Sequence, residues 1–144
     1  MVLLKLIYYI FRNNDFKIPN GAHNYELVAQ YTLKEDIVLY EVGPHMHYRG
    51  MSAKMYATLT DGTEIPLASV PAYDYDQMYF YRLKKTIFLP AGTIVTLKAM
   101  FDNSKQNPKI LKPNKDSMFG FERSAEMFWG LIAYTKANYQ TMVP

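Results

Sequence analysis

Residues 25–32 set Tyr25, Leu27, Ala29 and Tyr31 against Glu26, Val28, Gln30 and Thr32, a period of two that predicts a half-buried β-strand. Ile37 to Val42 is apolar and rich in β-branched residues, which predicts a second strand, and it runs through Gly43-Pro44 into His45-Met46-His47. Ser52–Leu59 and Glu64–Leu67 flank Thr60-Asp61-Gly62-Thr63. Asp-Gly tolerates the positive φ angles of a tight turn, so these two segments predict a hairpin. Gln77–Leu83 and Thr86–Leu89 predict further extended segments, and Pro90-Ala91-Gly92 turns the chain into a strand over Thr93–Phe101. In Glu126–Lys136 both alternating sets are apolar: Met127, Trp129, Leu131 and Ala133 on one side, Phe128, Gly130, Ile132 and Tyr134 on the other. That pattern predicts a central strand.

Short strands spaced by roughly ten residues, with turn signals between them and no internal repeat, predict an all-β fold: an antiparallel two-sheet sandwich, jelly-roll-like. Asp102–Ser117 collects Asn, Lys, Pro and Ser and predicts a long surface loop, with Lys105, Lys109, Lys112 and Lys115 as a solvated face. The organisation expected is an N-terminal apolar strand or truncated remnant over residues 1–14, followed by one sandwich domain over 15–144.

Composition narrows the chemistry. At 144 residues and 49% hydrophobic, the chain has enough apolar material for one core of its own. A formal charge of +3 is too small to steer it towards nucleic acid or an acidic membrane. With no Cys, disulfides, thiolate zinc sites and iron–sulfur clusters are excluded. The apolar run Met1–Phe11 is shorter than the about 20 residues that span a bilayer, so no transmembrane segment is expected. Lys5 interrupts the run and no Ala-x-Ala-like site follows, so a signal peptide is not predicted either.

Two of the three histidines, His45 and His47, stand at i and i+2. In extended backbone they point to the same side with Cα atoms roughly 6.5–7 Å apart, so two imidazoles can converge on one metal ion. Imidazole suits copper, zinc, iron and nickel alike, and the same spacing also describes two solvated histidines at a strand end. A thioether beside the pair would favour copper. Met46 points away from its two neighbours, and Met51 and Met55 are carried off by their strand. Tyr73, Tyr75, Tyr79 and Tyr81 read as strand packing before they read as a sugar-binding groove. Asp74 and Asp76 read as turn capping before they read as an acid–base pair. His23, in Pro19-Asn-Gly-Ala-His-Asn24, reads as a solvated loop residue.

Several segments occur together in order: Phe16-Lys-Ile-Pro19, Gly43-Pro-His-Met-His-Tyr-Arg-Gly50, Asp61-Gly-Thr63, Ser69-Val-Pro-Ala-Tyr-Asp-Tyr-Asp76, Leu89-Pro-Ala-Gly-Thr93 and Phe101-Asp-Asn-Ser104. Over residues 15 to 136 this resembles the C-terminal domain of copper type II ascorbate-dependent monooxygenases, the bacterial branch of the peptidylglycine α-hydroxylating and dopamine β-monooxygenase family. The resemblance implies one copper ion held by His45, His47 and the Met127 of Ala125-Glu126-Met127. It implies an oxygen-activating domain that hydroxylates a C–H bond of a small-molecule substrate, with no catalytic residues beyond the metal ligands and an extracytoplasmic setting. In the family a second copper with three His ligands, in an N-terminal domain, relays electrons from ascorbate. No counterpart of that domain stands in this sequence, so ascorbate serves as external reductant only if such a domain is supplied by another chain.

Departures from the family pattern are Ala125 in place of an acid before Glu-Met, and Met78 and Phe119 in regions where bacterial relatives carry Trp. The peptide-amidating branch places an Arg at the position of Gly43 to hold a substrate carboxylate; glycine forms no such pair, which disfavours peptide amidation. The competing expectations are a non-catalytic copper-binding sandwich and a carbohydrate-binding module that uses its tyrosines.

Overall fold

Strand alternation sends one set of residues from each of two sheets into a shared interior. Phe11, Leu39, Val42, Met46, Phe128 and Ile132 from one sheet are buried with Ala29, Met55, Ala57, Leu97 and Phe101 from the other. The structure, a computed structural model, describes residues 5–137. Its strands are β1 (Ile7–Arg12), β2 (Lys17–Ile18), β3 (Tyr25–Thr32), β4 (Ile37–Met46), β5 (Gly50–Thr58), β6 (Glu64–Val70), β7 (Tyr81–Leu89), β8 (Ile94–Phe101), β9 (Ser117–Met118) and β10 (Phe128–Lys136). One sheet has the order β1-β10-β4-β7 and the other β3-β8-β5-β6, with β2 and β9 forming a small separate pair. All pairings between these strands are antiparallel. The fold is an all-β antiparallel two-sheet sandwich of jelly-roll-like form. No described helix is long and apolar enough to cross a membrane.

The predicted strands appear with several bounds shifted: β5 starts at Gly50, β6 runs on to Val70 and β10 starts at Phe128. β4 is longer than the apolar run Ile37–Val42 and continues through Pro44 and His45 to Met46, because β10 pairs with it along that whole length. Proline needs no ladder donor on the side where β7 has ended, since the last β4–β7 pair is Val42 with Tyr81. Gln77 closes a single 3-10 turn, Tyr75–Gln77, capped by the Asp74 side chain, which accepts from the Asp76 N–H at 3.2 Å. Extended structure resumes at Tyr81 and runs unbroken through both predicted segments to Leu89.

The start of the expected surface loop is buried. Asp102, Asn103 and Ser104 are inside. Asn103 donates to the carbonyls of Ile18, Pro19 and Lys115 at 3.0–3.1 Å, and its side-chain oxygen accepts from Arg49 Nε at 2.7 Å. This one amide ties β2, the approach to β9 and the turn after β4 together, whereas the exposed lysines of the segment lie on the outside as expected.

β10 is central, between β1 and β4, which explains its two apolar faces. Gly130 sits on its inner face where the Phe11 ring crosses it; a Cβ there would stand 2.2 Å from the ring. Gly130→Ala is therefore expected to cost about 1–3 kcal/mol by overpacking, as measured by urea unfolding. Adding Phe11→Leu should return part of that loss. An unchanged midpoint for Gly130→Ala would contradict the packing described.

Candidate metal centre

Past Val42, the β7 side of β4 has no strand to pair with, and the chain between β6 and β7 covers it instead. The Tyr73 hydroxyl donates to the Met46 carbonyl at 2.8 Å and accepts from the Met46 N–H at 3.0 Å, standing in for the absent strand. Met46 is thereby fixed with its side chain in the core. His45 and His47, its neighbours, face the other way and meet edge-to-face with ring centroids 5.5 Å apart. Tyr75 packs against both imidazoles, at 6.2 and 5.3 Å between centroids, and Trp129 lies 5.8 Å from His45.

The two rings are held by different contacts. His47 is buried, and its Nδ1 faces the Ala125 carbonyl at 3.2 Å. A carbonyl only accepts, so Nδ1 carries the proton in this contact, and the Glu122 carbonyl is a second hydrogen-bond partner of the ring. His45 is half-buried and its Nδ1 lies 2.8 Å from the Met78 sulfur. A thioether is a weak acceptor, so this contact suits a protonated Nδ1. Met78 thus positions His45 as the Ala125 carbonyl positions His47.

Met127 enters through the register of β10. Phe128 pairs with Met46 and Trp129 with His45, so Met127 falls beside His47. Phe128 is in the core, and alternation puts Met127 with Trp129 on the side of the imidazoles. It is buried at 5% exposure yet outside the main core cluster. His45 and His47 are thus in ring contact, and extending the β4–β10 register by one residue sets Met127 across from His47. His23 does not join it; its Nδ1 pairs with Asp102 at 3.3 Å. Asp74 caps its turn and pairs with Lys109 at 3.3 Å, as turn chemistry predicted.

Glu126 was legible only as half of Glu-Met, and it is the keystone. Its side chain is fully buried and accepts from the backbone N–H of His47, of Met127 at 2.9 Å and of Arg49 at 3.0 Å. Arg49 is buried beside it and donates to Asn103 and to the Ser124 carbonyl at 3.1 Å. Burial pushes the Glu126 carboxyl up to about 7, while the three N–H donors and the Arg49 charge oppose that shift. Tyr75, Met78 and Trp129 are the other site residues that the sequence pattern missed. Their long-range placement carries no local signal.

Among the described residues, no three His, Cys, Asp or Glu side chains gather. The donors on offer are two imidazoles and thioethers, a set that suits copper, Cu(I) in particular, better than zinc or magnesium.

Two outcomes follow. Burial, aided by His47, pushes His45 down to about 4 from an ordinary 6.5. The unfolded chain therefore takes up this proton at higher pH than the folded one, so stability falls as pH drops from 6.5 towards 4. His45→Gln should lose less stability than wild type across that window in pH-dependent urea unfolding; parallel curves would contradict the assignment. Glu126→Ala strands three N–H groups and the Arg49 charge and is expected to cost about 3–5 kcal/mol by the same measurement.

No protein-family model matches the chain, and no curated protein matches it. The resemblance to copper monooxygenases thus rests on the sequence segments quoted above. Among solved structures the chain is similar to infectious bursal disease virus proteins. For the Gt strain structure the identity is 11% and the TM-score 0.42, covering 94% of this chain and 33% of that one. For the VP2 subviral particle they are 12% and 0.41, covering 93% and 33%. The chain spans about a third of the length of these solved chains, at 33% in both, and nothing about its chemistry follows from them.

Proposed function

We propose that the chain is a copper-binding, oxygen-activating domain of an ascorbate-dependent monooxygenase, with His45, His47 and Met127 as ligands. The observation that supports this most is the pair of imidazoles on one sheet face, 5.5 Å apart, with the His47 Nδ1 facing the Ala125 carbonyl and the His45 Nδ1 facing the Met78 sulfur. Outer partners that fix the tautomer in this way are the usual companions of metal-ligating histidine. With two nitrogens and one thioether, a copper ion would retain an open position and supply one-electron chemistry towards dioxygen.

The chain's own residues prepare that site. Glu126 fixes the backbone of His47 and of Met127 against each other, so two ligands from different segments are set by one carboxylate. Tyr73 does the same for the peptide between the histidines. Burial lowers the pKa of both imidazoles, that of His45 to about 4, so protons compete less with a metal for their lone pairs. Electron supply is the part the described residues do not provide: beyond the pair, the sole histidine is His23, engaged by Asp102. Coupled turnover then needs an electron-transfer domain, supplied by another polypeptide or by a longer form of this one.

Competition titration against a chromogenic Cu(I) chelator tests this. One Cu(I) per chain is expected, and His47→Ala should weaken it by more than about 100-fold, beyond the roughly 10–100-fold effect of losing an outer partner. Glycan binding indifferent to both histidines, without Cu(I) affinity, would instead establish the carbohydrate-binding alternative.

A further inference from the structure

Beside His45 the outer face of the β1-β10-β4-β7 sheet is hollowed into a cleft of about 280 Å³. Ile10 of β1, Leu131 and Trp129 of β10, and Phe80 line it, with His45 and Met78 in its wall. The polar groups of its aromatic walls are already committed: the Trp129 indole N–H donates to Asn14 at 3.0 Å and the Tyr79 hydroxyl donates to Gln77 at 3.3 Å. None of its lining residues carries a fixed charge. Gly43 eases its shape. A Cβ there would stand 3.1 Å from the Tyr79 carbonyl, so the segment carrying Met78 and Phe80 lies close over β4 where position 43 lacks a side chain.

We infer that this cleft is the substrate site, and that it takes a neutral, ring-bearing apolar molecule of about two rings, or one ring with a short chain. Its role as a substrate site rests on the copper reading; its capacity to bind such a molecule does not. The size follows from volume: a cavity of roughly 150 Å³ accommodates one benzene, and this cleft is nearly twice as large. The charge preference follows from solvation, because an ionised group entering it would shed water and meet no charged lining residue; Arg12, whose guanidinium lies 5.9 Å from the Trp129 ring centroid, stands outside the lining. The aromatic walls add edge-to-face packing to any ring that enters. An Arg at position 43, able to hold a carboxylate, would be crowded by the Tyr79 carbonyl.

Trp129 is the sole tryptophan, so its emission reports occupancy directly. Metal-free protein is titrated with 4-phenyl-1-butanol and, separately, with 4-phenylbutyrate, which has the same skeleton and a negative charge. The expected result is a saturable emission change with the alcohol, at least ten-fold weaker binding of the carboxylate, and loss of the alcohol response in Ile10→Glu and in Phe80→Glu. Both positions are about half exposed, at 45% and 48%, and so tolerate the substitution. No saturable change, equal affinity for the two probes, or undiminished binding in both variants would overturn the inference. Cu(I) titration of the same samples separates the two claims. Protein that binds the alcohol and no copper keeps the cleft and loses the copper reading; protein that binds copper and not the alcohol loses the cleft alone.

Discussion

A buried carboxylate organises this molecule. Glu126 takes three backbone N–H groups, from His47, Arg49 and Met127, that would otherwise be buried without partners at the point where β4 ends and β10 begins. An unpaired buried N–H costs about 1–3 kcal/mol and a lone buried charge more, so the carboxylate and its donors are stable only together. Arg49 balances the charge and passes the constraint on to Asn103, which reaches β2 and the segment before β9. One side chain therefore sets the relative position of the two segments that carry the site and, through Arg49 and Asn103, links them to β2 and the segment before β9.

The same region shows how an unfinished strand edge becomes useful. β4 outlasts its neighbour β7, and its exposed edge is closed by the segment 71–80 instead of by a strand. Tyr73 satisfies the Met46 peptide, Tyr75 packs on both imidazoles and Met78 meets His45. A regular strand would have offered backbone alone. The irregular segment instead delivers aromatic rings and a sulfur to one place, and leaves the apolar cleft beside them.

Most strands were legible because period-two patterning is local: Tyr25–Thr32 is observed with the predicted bounds, and the Asp61-Gly62 hairpin forms with Gly62 at φ 87°. The shared side of His45 and His47 was legible for the same reason. The end of β4 was not, since pairing with β10 across more than eighty residues carries the strand past Val42. Glu126 was hidden because its partners are peptide groups, which leave no trace in side-chain pattern. Met78 was noted only as a residue standing where relatives have Trp, and nothing in Tyr75-Asp-Gln-Met78 announces that a 3-10 turn delivers its sulfur to His45. Gly43 read as the loss of an arginine; in the fold it is also the space that the Tyr79 carbonyl requires.

The account turns on which sulfur completes the site. His45 Nδ1 already faces Met78, whereas Met127 follows the β4–β10 register to a place across from His47. X-ray absorption on Cu(I)-loaded wild type, Met127→Ala and Met78→Ala decides between them. Two nitrogen scatterers and one sulfur are predicted in the wild type, with the sulfur lost in Met127→Ala and kept in Met78→Ala. A copper without sulfur in the wild type, or sulfur lost only in Met78→Ala, would contradict the assignment.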